Sequence, residues 1–339
     1  MTGLWTLIAS ASSFFITLIL GIWMIPFLRK LKYGQTILEI GPSWHKSKEG
    51  TPTMGGIMFI IGIIISSAAC VLLFYSSHST MLDLRISKDT TVRIFAGLGM
   101  AFLYGEIGFF DDYIKVVKKR NLGLNAKQKL VLQFAVVIAY LAIIKYVGGA
   151  TSATLIPFIG TVDLGIFYWI ISAFVIVGVV NAVNLSDGID GLDGSITFFA
   201  AAIMMTIGSF IGMTDVSIVS GALAGGCLGF LIWNFHPAKV FMGDTGSLFL
   251  GGMVCAILYA MNMPILILPI GIMYLIEMFS VILQVLYFKA TKGKRLFKMS
   301  PIHHHFEMSG WSEIKITVVF SIVTIVMGLG ALAAVVYGV

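Results

Sequence analysis

The chain has 339 residues, of which 58% are apolar and only 11% are charged, and its mean hydropathy is +0.98. This composition excludes a soluble globular protein and predicts an integral membrane protein. Most of the 22 basic residues flank apolar segments, so we expect them to face lipid headgroups or an anionic substrate and expect no nucleic-acid partner. Because apolar segments recur from residue 4 to residue 338, we expect a single polytopic membrane domain over residues 1–339.

Ten apolar segments are long enough to cross a bilayer, which takes about 20 residues per helix. They cover approximately residues 4–28, 54–75, 91–110, 128–147, 166–183, 195–212, 217–234, 247–262, 264–288 and 316–338. Pro264 and the long run that follows it predict a bent ninth helix. The sequence therefore predicts an all-α integral membrane fold with about ten transmembrane helices.

The distribution of basic residues predicts the orientation of these helices. The loops after spans 1, 3, 5, 7 and 9 and the residues next to them contain all the basic residues except Arg85, Lys88, Arg93 and Lys145. Basic residues concentrate on the cytoplasmic side, so we expect these loops to be cytoplasmic and both termini to be extracytoplasmic. No basic residue precedes the first span and no cleavage site follows it, which favours a retained anchor over a signal peptide.

The loop that begins at Gly148 reads GGATSATLIPFIGTVDLG. Its β-branched residues are bounded by glycines, a pattern typical of a hairpin. We expect a small extracytoplasmic β-hairpin here.

The loop after span 5 reads NAVNLSDGIDGLDGS and contains no basic residue, although we expect it to be cytoplasmic. Asp187, Asp190 and Asp193 recur at every third position, each followed by a glycine that permits a tight turn. Aspartate at a helix start is also an ordinary cap, but capping accounts for only one of the three. We therefore interpret this loop as part of a functional site.

Two further acidic motifs lie at predicted helix ends. In FFDDYIKV, the adjacent Asp111 and Asp112 follow span 3, and in FMGDTGS, Asp244 precedes span 8 between two glycines. Such residues also occur on solvated helix ends and in common turns. Two adjacent carboxylates can instead bind a divalent cation on one side and a reactive oxygen on the other.

The motif PIHHHFE follows a basic stretch near the C-terminus. In an extended strand, His303 and His305 would share one side and His304 would face away. No further Cys or His lies at zinc-ligand spacing, so we expect imidazole groups next to phosphate. Lys48 lies before the glycine- and proline-rich start of span 2, and no Walker phosphate loop is present.

Acidic residues within the apolar spans, Glu106 and Glu277, usually face an internal cavity or a neighbouring helix. They leave open the alternative of an ion-coupled transporter. A transporter would place its key acids near mid-membrane, whereas the dense carboxylates of this chain all lie at one interface.

Taken in order, GTPTMGG, FFDDYIKV, NAVNLSDGIDGLDG, FMGDTGS and PIHHHFE resemble the motifs of the phospho-N-acetylmuramoyl-pentapeptide transferases. This family belongs to the polyprenyl-phosphate N-acetylhexosamine-1-phosphate transferase superfamily. The HHHFE segment distinguishes it from the branch that uses N-acetylglucosamine donors, which is the alternative within enzymes. The resemblance covers the full chain.

The resemblance implies a magnesium-dependent enzyme of the bacterial plasma membrane that acts in peptidoglycan synthesis. Its partners would be UDP-N-acetylmuramoyl-pentapeptide and undecaprenyl phosphate, its products lipid I and UMP, and its active site would face the cytoplasm. A homodimer is also implied.

The resemblance also implies roles for individual residues. The catalytic positions are matched by Asp111, Asp112, Asp244 and His303, and Asp244 matches the magnesium ligand. The uridine pocket is matched by Asn184, Asp187 and Asp190, with Phe241 stacking near the base. Polar groups around the phosphates and the sugar-peptide are matched by Lys48, Lys129, His304 and His305.

Overall fold

The protein is seen in a computed structural model that describes residues 2–30, 48, 50–77, 84–117 and 123–339. Ten helices in these ranges are long and apolar enough to cross a membrane, which confirms the predicted all-α membrane fold. They are α1 (Thr2–Lys30), α2 (Gly56–Ser77), α3 (Leu84–Val117), α4 (Ala126–Tyr146), α5 (Ile166–Ser186), α6 (Leu192–Phe210), α7 (Thr214–Asn234), α8 (Gly243–Ala260), α10 (Ile272–Ala290) and α12 (Glu313–Gly338). Two short helices, α9 (Ile267–Ile270) and α11 (Ile302–Glu307), lie between the last of these.

Helix α8 lies at the centre of the bundle, with almost every residue buried, and packs against α2, α3 and α5. Small residues permit this close approach. A side chain at Gly251 would overlap Val180 of α5, and one at Gly252 would overlap Ala101 of α3. The start of α8 is therefore held next to the ends of α3 and α5, where the acidic motifs lie.

The predicted ninth span is broken rather than bent. A 3-10 turn at Pro264–Leu266 is followed by α9, and Gly271 then separates α9 from α10. The backbone of Gly271 (φ −96°, ψ 17°) is not that of a continuous helix. Pro264 at the first position of the turn fits its ordinary place at a helix start.

The predicted hairpin is present as two antiparallel strands, β1 (Ala153–Ile156) and β2 (Gly160–Asp163). The backbone N–H of Leu155 donates to the carbonyl of Asn262, just after α8, and that of Phe158 donates to the carbonyl of Gly338 at the end of α12. The hairpin therefore lies at the end of the bundle opposite the start of α8 and its Asp244.

The prediction of an extended strand at the three histidines is wrong, because His303, His304 and His305 lie in α11. The helical period places His303 and Glu307 on one buried face. The side chains of this segment therefore do not alternate between two sides, as they would in a strand. Each histidine has a different partner.

Candidate active site

Three carboxylates meet where α3 ends and α8 begins. Asp111, Asp112 and Asp244 each offer an oxygen, and these oxygens lie within 4.8 Å of one another. Two glycines make the convergence possible: a side chain at Gly108 would overlap the Asp244 backbone, and one at Gly243 (φ 70°) would overlap the Asp112 carboxylate. The structure thus brings the two motifs FFDDYIKV and FMGDTGS into one cluster.

Two lysines lie within this cluster. The Nζ atom of Lys115 is 2.6 Å from Asp111 Oδ2 and 2.9 Å from Asp244 Oδ2, and Lys129 Nζ is 2.9 Å from the same Asp244 oxygen. Lys115 is also 3.7 Å from Asp112 Oδ1. The two ammonium groups offset much of the negative charge that three adjacent carboxylates would otherwise concentrate.

Fixed hydrogen bonds hold the first two carboxylates in place. Asp112 Oδ2 accepts from the backbone N–H of Thr245 at 3.0 Å and from its hydroxyl at 2.8 Å. Asp111 Oδ1 accepts from the backbone N–H of Leu124 at 2.8 Å. These bonds restrict the rotamers of both aspartates, so their other oxygens, which face Lys115, have defined positions.

Asn184 connects the acidic loop to the same cluster. Its side-chain amide donates to Asp244 Oδ1 at 2.9 Å and to Ser247 Oγ at 2.8 Å. Asp244 therefore receives donors on both oxygens, two lysines on one and Asn184 on the other. This arrangement makes Asp244 the residue that joins α3, α4, α5 and α8.

The three aspartates of the loop between α5 and α6 have separate surroundings. Burial, together with the negative charges of Asp244, Asp112 and Asp190, raises the pKa of the Asp187 carboxyl to about 8, although the charge of Lys48 acts in the opposite direction. Asp193 lies in the first turn of α6 and is buried, and neither of its carboxylate oxygens has a hydrogen-bond partner among the described residues. The regular spacing of the three aspartates therefore does not place them in one site.

Asp190 belongs to a second cluster. Lys48 Nζ lies 2.7 Å from Asp190 Oδ1 and 2.6 Å from Glu313 Oε2, and His236 Nδ1 lies 3.0 Å from Asp190 Oδ2. Asp190, His236 and Glu313 have the spacing of a metal-ligand group. In this geometry, however, the ammonium group of Lys48 already supplies a cation to both carboxylates.

The backbone of Phe241 fixes the segment before α2 to the start of α8. Its N–H donates to the carbonyl of Pro52 at 2.9 Å, and its carbonyl accepts from the N–H of Gly55 at 2.8 Å. The segment that begins at Lys48 is thereby attached to the residues that precede Asp244.

The three histidines of α11 have three different partners. His303 Nδ1 lies 3.0 Å from Glu277 Oε1, and His304 Nδ1 lies 2.6 Å from Glu307 Oε2. His305 Nδ1 accepts from the backbone N–H of Lys298 at 3.1 Å. The ring of His303 also packs against Gly188 in the acidic loop, which links α11 to the candidate site.

Sequence reasoning did not select several residues that contact the predicted ones. These are Lys115, His236, Thr245 and Glu313. Lys115 was recognisable from the sequence, because it lies four residues after Asp111 and three after Asp112, and therefore on the same side of a helix. Glu277 was recognisable as an acidic residue within an apolar span, where such residues usually have a specific partner. Glu313, one of the two partners of Lys48, is far away from it in sequence and could not be recognised from the sequence.

Comparisons with known proteins agree with this geometry. A family described as phospho-N-acetylmuramoyl-pentapeptide-transferase signature 1 matches residues 48–60, and glycosyl transferase family 4 matches residues 94–262. A phospho-N-acetylmuramoyl-pentapeptide-transferase of Caldicellulosiruptor bescii is 47% identical over 330 residues, which cover 97% of each chain. The chain belongs to the phospho-N-acetylmuramoyl-pentapeptide-transferase family.

Other members of the family support the same assignment. Relatives of that name from Halalkalibacterium halodurans and Bacillus subtilis are each 47% identical over 311 and 310 residues, covering 91% of this chain and 90% of theirs. The matched residues 94–262 include the carboxylate cluster, and the matched residues 48–60 begin at Lys48. The resemblance inferred from the motifs is confirmed.

Proposed function

We propose that this protein transfers phospho-N-acetylmuramoyl-pentapeptide from UDP-N-acetylmuramoyl-pentapeptide to undecaprenyl phosphate, which forms lipid I and releases UMP. The proposal rests on one observation: three carboxylates and two lysines converge at one end of the bundle in a chain that is 47% identical to transferases of this name. Phosphoryl transfer requires positioning and charge compensation above all. This cluster offers both.

Magnesium is the proposed cofactor. Asp111, Asp112 and Asp244 fit it because they provide three hard oxygen ligands within 4.8 Å of one another. Magnesium bound there would offset the negative charge of the donor diphosphate and the acceptor phosphate. Asp244, at the centre of the hydrogen bonds described above, is the principal proposed ligand.

The two lysines of the cluster are proposed to bind phosphate oxygens. Lys115 and Lys129 each have an ammonium group in contact with Asp244, next to the carboxylates proposed to hold magnesium. Ammonium groups in this position stabilise the charge of the transferred phosphoryl group. Asp111 and Asp112 are proposed to orient the acceptor phosphate, which is already mostly ionised at neutral pH.

The proposed donor site extends from this cluster along the acidic loop. We assign Asn184, Asp187 and Asp190 to the uridine end, together with Phe241. Lys48, His304 and His305 are assigned to the phosphates and the sugar-peptide, and His303 to the reacting end. The contacts of Asn184 with Asp244 and of Lys48 with Asp190 support a continuous site.

The acceptor's prenyl chain is proposed to lie beside α10, next to the break at Gly271. On this helix Phe279, Leu283 and Leu286 are exposed by 51%, 49% and 59%, and their spacing places them on one face. A polyprenyl chain would cover this apolar face within the bilayer. We also propose a homodimer in the bacterial plasma membrane, with the site facing the cytoplasm.

A direct assay tests the proposed function. Purified protein, undecaprenyl phosphate and radiolabelled UDP-N-acetylmuramoyl-pentapeptide are expected to yield labelled lipid and UMP in the presence of magnesium. Removing magnesium with a chelator is expected to abolish turnover, and adding it back to restore turnover. UDP-N-acetylglucosamine, supplied in parallel, is expected to give no product. Equal use of both donors would contradict the proposed specificity, and turnover in chelator would contradict the cofactor.

The proposed orientation is tested by cysteine labelling in intact cells. In a background without Cys70, Cys227 and Cys255, a membrane-impermeant thiol reagent is expected to label Thr151→Cys in the loop before β1 and to leave Lys294→Cys unlabelled. Both positions are exposed, so labelling after cell lysis serves as the control for access. Labelling of Lys294→Cys alone in intact cells would show that the orientation is the opposite of the one proposed.

A further inference from the structure

An acidic residue in the membrane helix α10 contacts a histidine of α11. Glu277 and His303 are both 0% exposed, and Glu277 Oε1 lies 3.0 Å from His303 Nδ1. A buried carboxylate is costly unless it receives hydrogen bonds. The second carboxylate oxygen is 3.5 Å from the backbone N–H of His303, so both oxygens of Glu277 face the same residue.

This contact determines which ring nitrogen of His303 remains available. A carboxylate accepts hydrogen bonds, so Nδ1 carries the hydrogen that Glu277 receives. The other nitrogen, Nε2, is buried and has no hydrogen-bond partner among the described residues. Buried polar atoms are rarely left without a partner, so an unpartnered Nε2 indicates a place for a ligand atom.

The unpartnered nitrogen faces the acidic loop. A side chain at Gly188 would overlap His303 Nε2, so this nitrogen lies directly against the backbone between Asp187 and Asp190. Because residue 188 is a glycine, no side chain separates this nitrogen from the backbone of the loop. Under the proposed function, this loop and His303 both line the site of the nucleotide-sugar donor.

We propose that Glu277 is a positioning residue that fixes the ring of His303 so that Nε2 contacts the bound nucleotide-sugar donor. The inference rests on the proposed function and extends it to a residue that touches no substrate itself. Carboxylate–imidazole pairs fix the ring orientation and the tautomer in the same way at other protein sites. Without the carboxylate, the ring is free to rotate or to exchange its tautomer, and Nε2 no longer has a fixed position.

A double-mutant cycle tests this inference. Donor affinity is measured by calorimetry with UDP-N-acetylmuramoyl-pentapeptide and magnesium for the wild type, Glu277→Gln, His303→Asn and the double variant. We expect Glu277→Gln to weaken donor binding about tenfold, which is about 1.4 kcal/mol, and to change the KM for undecaprenyl phosphate less than twofold. In the His303→Asn background the same change is expected to alter donor affinity less than twofold.

A matched control lies one turn further along α10. Ser280 is buried and its hydroxyl donates to the backbone carbonyl of Glu277 at 2.7 Å, not to the carboxylate. Ser280→Ala is therefore expected to leave donor affinity unchanged. Thermal melting of each variant measures any general loss of stability, which would lower the affinity for both substrates alike.

Two results would overturn the role of Glu277. One is an unchanged donor affinity in Glu277→Gln, and the other is independent, multiplicative effects of the two substitutions. If His303→Asn does not fold, His303→Gln replaces it in the same double-mutant cycle. Independently, ¹⁵N NMR of the histidine rings shows whether Glu277→Gln changes which nitrogen of His303 is protonated. An unchanged protonation pattern would also count against the inference. A wild-type protein that binds the donor without turnover would instead contradict the proposed function.

Discussion

Replacing Asp244 by Asn is expected to lower the rate of transfer by about 10³-fold while the chain stays folded. In the structure, Asp244 Oδ2 accepts from Lys115 and Lys129, and Oδ1 accepts from Asn184. Asparagine has almost the same shape but no charge, so two ammonium groups lose a shared counter-ion. The substitution also removes one of the three oxygen ligands proposed for magnesium. The measurement is kcat at saturating donor, acceptor and magnesium.

The matched control for this substitution is Asp163→Asn in strand β2. Asp163 is exposed at the opposite end of the bundle and accepts from Ser152 at 2.6 Å and from the N–H of Gly165 at 2.9 Å. This variant loses one charge and keeps the shape of the side chain, yet we expect its kcat to stay within twofold of the wild type. If Asp244→Asn retained activity within a few-fold of the wild type, Asp244 would not be the principal metal ligand.

Much of the fold follows from the sequence because each transmembrane helix is specified locally. A run of about 20 apolar residues must form a helix in a bilayer, whatever its neighbours are. The same holds for the hairpin, where glycines bound a β-branched segment. The break at Gly271 did not follow, because glycine is also common in continuous membrane helices, and Pro264 alone indicated only a bend.

The candidate site was predictable in its residue types and less so in its contacts. Asp111, Asp112 and Asp244 were selected from their motifs, and the structure brings them together. Their convergence depends on Gly108 and Gly243, whose role becomes visible only when the helices are packed. The even spacing of Asp187, Asp190 and Asp193 indicated a shared function, yet the third carboxylate is buried in the first turn of α6.

The histidine motif shows a different limit of sequence reasoning. Three consecutive histidines fit an extended strand or a helix, and no local signal decides between them. The structure selects the helix, and the deciding contact is between His303 and Glu277, which are 26 residues apart. Long-range partners of this kind determine which face of a short segment is buried.

The second large expected effect concerns the path of the reaction. In a single displacement, a phosphate oxygen of undecaprenyl phosphate bonds to the sugar-bearing phosphorus, and the bond to UMP breaks with its electrons leaving on UMP. In a two-step path, Asp111 would attack that phosphorus first and release UMP before the lipid binds. Enzyme and donor without lipid would then exchange labelled UMP into the donor.

We expect this exchange to be undetectable without undecaprenyl phosphate and to appear when the lipid is added. Transfer breaks one phosphoanhydride and makes another, so the reaction should run in both directions once all substrates are present. Both oxygens of Asp111 are already engaged, one 2.6 Å from Lys115 and the other as the acceptor of the Leu124 N–H at 2.8 Å. These contacts lower the nucleophilicity of the carboxylate and suit it to orient the acceptor phosphate.

The measurement uses labelled UMP, unlabelled donor, magnesium and protein washed free of co-purified lipid, as verified by mass spectrometry. Asp111→Asn serves as the background control, and rapid exchange by the lipid-free wild type that is absent from this variant would establish the two-step path instead.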